Sequence, residues 1–381
     1  MNIAFICGSL EPGKDGVGDY TRRLASALIE RGNAITIIAF NDRYVSETVT
    51  GQQESDGIKI DIVRLSAGDA IKMRLNVADK VIKEFRPDWI SLQYVPFSYQ
   101  KKGLPWQLGN QLKSISKGIS WHIMFHELWC GMNPTAPVKE KILGYGQKNV
   151  LKKLVTSLKP AQIFTSIISY SNRLINYGIN PIKVLPIFGN IPLGHLTPDA
   201  VWESFIADNN IKALADAENN VLLVGFFGAV YPCEGLDELM VNIQSAANNL
   251  KKRLVILFIG HGNREQVINH FGDIITSEIK NLGALDFPLL NKVFSLIDIS
   301  VVTTPSDGMN KSGSAIAWIE RGVPVLISAK DKSYNSAELE KDKVYQVFNA
   351  GDVEKAIKSG KSGSHKSRLD MVADFYFENL K

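Results

Sequence analysis

The sequence predicts an α/β protein made of two doubly wound domains, and three observations carry that prediction. The chain has 381 residues, about two and a half times a usual ~150-residue domain. Short apolar runs alternate with longer amphipathic ones, and the alternation starts twice, at Asn2 and again at Val221. The short runs are apolar from end to end, the mark of parallel strands buried on both faces.

In the first half, residues 2–7 form a β-rich run closed by Gly8. After a loop over 9–18, Tyr20, Leu24, Ala27 and Leu28 share one helical face, and Gly32 ends that helix. Strands follow at 34–40 and 58–65, then a helix over 71–85. Arg86-Pro87-Asp88 breaks the helix before a strand at 89–95, and 121–125 repeats the strand pattern. A polar stretch between residues 192 and 220 reads as the hinge. Beyond it come strands at 221–227, 254–259, 279–282, 299–303 and 323–327. Helices at 236–247, 264–271, 288–296 and 314–321 alternate with them. The Ser/Gly/Lys-rich run 358–366 reads as a loop before a last helix over 368–380.

Composition narrows the class. A 45% hydrophobic and 22% charged chain is that of a soluble globular protein, not a disordered or fibrous one. A net charge of +4 is too mild to indicate a nucleic-acid partner. Cys7, Cys130 and Cys233 are too few and too scattered for a disulfide framework, which points to a reducing cytoplasm. The first residues read as a strand rather than a signal peptide, and no apolar run reaches the ~20 residues that cross a bilayer. No cluster has metal-ligand spacing, and no G-x-S-x-G elbow occurs.

Ligands of open α/β sheets bind beyond the carboxyl ends of the strands, so the loops there are the candidates, and two such domains facing each other would form one cleft. Gly13-Lys14-Asp15-Gly16-Val17-Gly18 lies between the first strand and helix; it reads either as a flexible turn or as a backbone that approaches an anion. It is neither G-x-G-x-x-G nor a Walker loop, and Gly360-Lys361-Ser362 lacks the earlier glycine a Walker loop needs. Residues 305–314 carry Asp307, Gly308, Met309, Asn310, Lys311, Ser312, Gly313 and Ser314 ahead of a helix. Small residues, a lysine and a helix N-terminus suit a phosphate; the plainer reading makes Ser314 an N-cap and Asp307 a turn residue. His126 ends a strand, either as an acid, base or donor to a sugar hydroxyl or as a core histidine; His122, further back, reads as structural. Residues 138–160 hold Lys139, Lys141, Lys148, Lys152, Lys153 and Lys159 against Glu140 alone. Such a basic amphipathic stretch docks on an anionic membrane or is a solvated helix face.

Five segments together resemble a known family: GVGDYTRRLASALIERGN, PDWISLQYVP, VLPIFGNIP, VGFFGAVYPCEGLDELM and the TPSDG…AWIERGVPVLIS run. They are similar to retaining glycosyltransferases of the GT-B fold, family-four class, common in bacterial polysaccharide and glycolipid assembly. The resemblance implies an acceptor-side Rossmann-like domain over 1–195 and a nucleotide-sugar-binding one over 196–365. It further implies that a helix over 366–381 returns to the first domain. It implies a nucleotide-diphosphate sugar, UDP-linked, as substrate, a glycan or lipid-linked acceptor, and neither metal nor cofactor. Gly16, Val17 and Gly18 would approach the donor phosphates, Gly228 would open the second domain's site, and Leu285 would meet the base. His126 and Asp307 would position the sugar, and residues 308–314 would hold sugar and diphosphate. The family's Arg and Lys after the first strand of domain two fall on Ala229 and Glu234. Its paired glutamates fall on Met309 and Ala317, with Asp307 or Glu320 as nearby substitutes for them and Lys311 for the lost positive charge. These departures raise a second expectation, a non-catalytic sugar-nucleotide-binding homologue, and an epimerase on the same fold is a third.

Overall fold

The first strand, β1 (Asn2–Cys7), is apolar and buried at every position after Asn2 because the sheet around it is covered on both sides. The computed structural model describes all residues except 134–135, 195–196, 210, 212–219, 232, 261–263, 336–338 and 362–366. The chain divides into two compact units, Met1–Asn190 with Arg368–Lys381, and Ile191–Ser367.

Unit 1 continues with α1 (Gly16–Glu30), β2 (Ala34–Asp42), β3 (Val49–Ser55), β4 (Ile58–Ser66) and α2 (Ile71–Phe85). Then come β5 (Trp89–Tyr94), α3 (Pro96–Tyr99), α4 (Leu108–Ser114), β6 (Ser120–Phe125) and α5 (Val138–Leu158). β7 (Gln162–Thr165), α6 (Ile168–Asn176) and β8 (Lys183–Val184) follow. The eight strands lie in the order β3-β4-β2-β1-β5-β6-β7-β8. All pairs are parallel except β3 with β4, which run antiparallel from Val49 opposite Arg64 to Ser55 opposite Ile58. The sheet is therefore mixed, where the sequence predicts a wholly parallel one. β3 reads VTGQQES and is mostly exposed; an edge strand with little to bury carries no apolar signal.

Strand alternation sorts the core into two layers. Ala4 and Ile6 face one side with Ala78 and Ile82 of α2, Leu112 of α4 and Leu151 and Leu154 of α5. Ile3, Phe5 and Cys7 face the other with Leu24 and Leu28 of α1.

Unit 2 contains α7 (Asp199–Asp208), β9 (Val221–Phe227), α8 (Leu236–Asn249), β10 (Arg253–Ile259), α9 (Glu265–Ile274) and β11 (Glu278–Gly283). It continues with α10 (Phe287–Leu296), β12 (Ile299–Val301), a 3-10 turn (Ser306–Lys311), α11 (Gly313–Glu320), β13 (Val325–Ser328), β14 (Val344–Val347) and α12 (Ala350–Ser359). Its six strands are all parallel, in the order β11-β10-β9-β12-β13-β14. The polar stretch read as a hinge holds α7, and Lys358 and Ser359, read as loop, end α12; residues 362–366 of that run lie outside the described ones. Gly225, mid-strand in β9, is the seat of a ring: a Cβ there would lie 2.8 Å from Trp318 of α11, which is fully buried beside Phe294.

The last helix, α13 (Leu369–Asn379), belongs to unit 1. Val372, Ala373 and Tyr376 pack on the face that holds Phe5 and Phe164, and Arg31 at the end of α1 pairs with Asp370 and Asp374.

Both sheets change direction of growth once, between β1 and β5 in unit 1 and between β9 and β12 in unit 2. The loops leaving the carboxyl ends of two such strands splay apart and leave a crevice.

Candidate functional site

In unit 2 the loops after β9 and β12 meet at the switch point. Gly228 holds φ 75°, a left-handed conformation that favours glycine. A Cβ at Gly228 would press to 3.3 Å against the Cβ of Ser314. Tyr231 N–H donates to Thr303 Oγ1 at 3.0 Å and ties the two loops together. A cavity of about 10 Å³ lies between them, lined by Ala229, Val230, Thr304 and Ser314 among others, the size that admits one water.

The segment 305–314, expected as an open loop, is largely one 3-10 turn from Ser306 to Lys311. The loop after β13 braces it. Ser306 N–H donates to Asp331 Oδ2 at 2.7 Å, and Asp307 N–H donates to Ser333 Oγ at 3.1 Å. Ser333 in turn donates to Asp331 Oδ1 at 2.6 Å. The N-cap of α11 is Ser312, whose Oγ accepts from Ala315 N–H at 3.4 Å, and not Ser314. Thr304, Ser312 and Ser314 form a hydroxyl string with spacings of 3.3 and 3.2 Å. The first-turn amides of α11, Gly313 and Ser314, have no acceptor within the helix. Hydroxyls, amides and a helix N-terminus together favour negative charge.

Other expected residues fall elsewhere. Met309 is fully buried in the core with Ala317, so its side chain cannot contact a donor, and an acid at either position would be desolvated. Asp307 is exposed and Glu320 buried. Gly308 is buried, Asn310 and Lys311 half-buried, and Gly313 half-buried at the start of α11. Ala229 and Glu234 are exposed. Leu285, half-buried, follows β11, two strands and roughly 10 Å from β9 across the sheet. Gly228 and residues 312–314 come together; Leu285 stands apart from them.

The sequence reading passes over Arg264. Its Nη2 donates to the carbonyls of Gly228 at 2.7 Å and Ile259 at 2.8 Å. Burial lowers its pKa. A guanidinium therefore lies beneath the Gly228 turn, and its position just past the β10 carboxyl end is the signal that could have found it. Asp331 and Ser333 offered no such signal, because they act from the loop after a different strand.

In unit 1, Gly16, Val17 and Gly18 are the first turn of α1, not a loop. Asp15 is the N-cap, and its Oδ1 accepts from the amides of Val17 and Gly18 at 3.0 Å each. A carboxylate already occupies the donors that an anion would use, so this helix end is no ready phosphate site. Gly18 itself answers to packing, since a Cβ there would lie 2.5 Å from Ser9 O.

His126 lies one residue past β6 with 9% of its surface exposed. Its backbone N–H donates to Tyr94 O at 3.1 Å. The ring meets Tyr20 of α1 edge-on at 4.8 Å, and Tyr20 stacks on Phe188 at 4.5 Å. Burial holds the His126 pKa down to about 3, so the ring is neutral at physiological pH and no proton reservoir there. His122 is fully buried, with its pKa also lowered to about 3, by burial first and then by His126 and Lys183.

A groove of about 720 Å³ runs between α2 and the α4–β6 loop, with Lys72, Arg86 and Lys117 on its walls. It sits at the amino ends of β5 and β6, away from the residues above. On α5, Val150, Leu151, Leu154 and Leu158 face the core, whereas Val138, Ile142 and Tyr145 are 71, 69 and 71% exposed. Lys148 lies over the rings of Trp129 and Tyr177 at 5.1 and 5.3 Å. Among the described residues no helix is long and apolar enough to cross a membrane, and no group of three His, Cys, Asp or Glu residues is placed to hold a metal.

No protein-family model matches the sequence, and no curated protein matches it. Solved structures do match over the whole chain. The catalytic domain of starch synthase IV from Arabidopsis thaliana, bound to ADP and acarbose, is 12% identical with a TM-score of 0.56, covering 100% of this chain and 98% of that one. An α,α-trehalose-phosphate synthase (UDP-forming) from Burkholderia xenovorans is 11% identical with a TM-score of 0.54 and full coverage of both chains. The UDP-GlcNAc 2-epimerase from Methanocaldococcus jannaschii is 12% identical with a TM-score of 0.53, covering 100% of this chain and 99% of that one. At these identities the likeness speaks for fold, and the fold is GT-B: two Rossmann-like α/β units in one chain.

Proposed function

We propose that this protein is a glycosyltransferase that moves a hexose from a nucleotide-diphosphate sugar, UDP-glucose in type, to a glycan or lipid-linked acceptor with retention. The observation that carries the reading is the anion-ready corner of unit 2, where Gly228, the Thr304–Ser312–Ser314 hydroxyls and the α11 N-terminus converge. Breaking a glycosyl–phosphate bond leaves charge on a diphosphate, and preorganised donors aimed at that charge lower the barrier. In this reading the amides and hydroxyls of residues 312–314 hold the diphosphate, with Lys311 and the Arg264 guanidinium adding positive charge nearby. Asp307, exposed on the turn, and His126 contact sugar hydroxyls. The exposed Val138, Ile142 and Tyr145 among the lysines of α5 suit peripheral attachment to an anionic bilayer. Sedimentation with phosphatidylglycerol vesicles, and its loss in Ile142→Glu, tests that part.

A second reading, a non-catalytic sugar-nucleotide-binding homologue, is favoured by Met309 and Ala317, which fill the core where acids would work. An epimerase on the same fold is the third reading. One experiment separates all three. Thermal unfolding is followed with uridine, guanosine and adenosine diphosphates and their glucose conjugates, and then donor consumption is assayed. A ligand at 100 times its Kd adds about 2.7 kcal/mol, or roughly 5–10 °C for a unit of the size of either half. The transferase reading expects a rise with the uridine set and slow release of UDP from UDP-glucose. Binding without turnover gives the second reading, interconversion of free donor sugars gives the epimerase, and no rise with any nucleotide overturns all three.

A further inference from the structure

Behind His126 a chain of polar side chains runs through the core of unit 1. His126 Nε2 lies 2.8 Å from Gln93 Oε1, Gln93 Nε2 donates to Ser91 Oγ at 2.8 Å, and Ser91 Oγ lies 2.8 Å from His122 Nδ1. Ser91, Gln93 and His122 are fully buried. Two more elements border the chain: Tyr20 of α1 and Tyr376 of α13. Their hydroxyls lie beside each other and, for Tyr376, beside Gln93 and Ser91, without a close, well-aligned bond of their own.

The polarity of this chain follows from donor counting. An amide has two protons and one acceptor oxygen. With Oε1 toward His126 and Nε2 donating to Ser91 Oγ, Oε1 takes a proton from the imidazole. Once the amide is set, His126 carries its proton on Nε2. Among the described residues His126 Nδ1 has no hydrogen-bond partner, and it is not sealed in the core.

We propose that Gln93 is a positioning residue that fixes His126 as the Nε2–H tautomer, so that the ring offers a ligand only the Nδ1 lone pair and recognises a sugar through a hydroxyl that donates to it. A neutral sugar with that hydroxyl intact is the substrate class this selects; an acceptor-only group there, such as a carboxylate or an ether oxygen, meets lone pair against lone pair. The tautomer statement depends on unit 1 alone, whereas the recognition statement rests on the glycosyltransferase reading.

Nitrogen-15 NMR of histidine rings tests the tautomer directly. The chain has six histidines, few enough to resolve, and His126→Phe identifies the His126 signals. The expected result is a protonated Nε2 and a bare Nδ1 in the unliganded protein; a protonated Nδ1, or an even mixture, overturns the proposal. Gln93→Met should shift His126 toward a tautomer mixture, and Gln93→Glu, which keeps an acceptor at that point, should restore Nε2–H. A tautomer unchanged in Gln93→Met assigns Gln93 a packing role only and overturns the proposal, and where Gln93→Met is poorly folded the tautomer of the native protein decides it. The ligand arm uses UDP-glucose and its four monodeoxy analogues. One analogue should bind about tenfold more weakly to the native protein, and the difference should vanish in His126→Phe. Equal binding of all analogues refutes recognition through Nδ1. Failure of UDP-glucose itself to bind counts against the glycosyltransferase reading, while the tautomer result still stands or falls by itself.

Discussion

The two histidines of unit 1 make a prediction about acid. Each has its pKa lowered from 6.5 to about 3 by burial. Unfolded, each binds a proton below pH 6.5; folded, neither does until about pH 3. Unfolding therefore takes up protons within that window, and stability falls as pH drops, by ~1.4 kcal/mol per pH unit for each ring. Urea midpoints of the native protein should decline steadily from pH 6.5 to 4, and His122→Phe should remove about half of that slope. An unchanged slope would place His122 in contact with water. Asp15 acts at the same scale. Asp15→Ala leaves the amides of Val17 and Gly18 without their cap, and its expected cost is about 1 kcal/mol in urea denaturation, with Asp15→Asn nearly neutral. His126 was legible as a strand-end histidine, but Gln93 was not. Its role comes from facing β6 across the sheet, and spacing within one strand carries no trace of that.

Among elements, the 3-10 turn at Ser306–Lys311 depends on a loop that follows another strand. Asp331 accepts from Ser306 and from Ser333, so Asp331→Ala strands a backbone donor and should cost about 1–3 kcal/mol. It should also loosen the anion corner, seen as weaker UDP binding in the thermal assay. Equal UDP affinity in the variant would separate the brace from the site. Most elements were legible because burial leaves a mark: β1 and β9 are nearly unbroken apolar runs, and α2 and α8 each carry an apolar face at helical spacing. β3 and the 3-10 turn were not. The first is a polar edge strand, and the second is shaped by hydrogen bonds from residues about 25 positions downstream. Met309 misled for a related reason: on a short turn, which side of the backbone meets the core is decided by closure of the turn and not by sequence period.

At the scale of the whole molecule, the two α/β units were legible because their rhythm restarts at Val221. The late return of α13 to unit 1 could be read only by resemblance, since nothing in its sequence names the surface it covers. That surface is large. Removing Arg368–Lys381 uncovers the sites of Val372, Tyr376 and Leu380 and should destabilise unit 1 by on the order of 5 kcal/mol. Hydrogen exchange would locate the loss: amides of β1 and β7 should exchange faster while those of β9 and β10 keep their protection. Protection kept in β1 would make α13 an ornament of the fold.

The same return imposes an order on synthesis. Every strand of unit 1 has been made by Val184, yet the helix that seals the Phe5 and Phe164 face is not made until the ribosome passes Arg368. At about 5–20 residues per second, the intervening stretch takes ~10–40 s to translate. For that time the nascent first sheet holds an open apolar face, and unit 2 has all of its own residues available first. The later-made half is thus the first able to finish folding, and the earlier half is the one that a ribosome-associated chaperone has reason to hold.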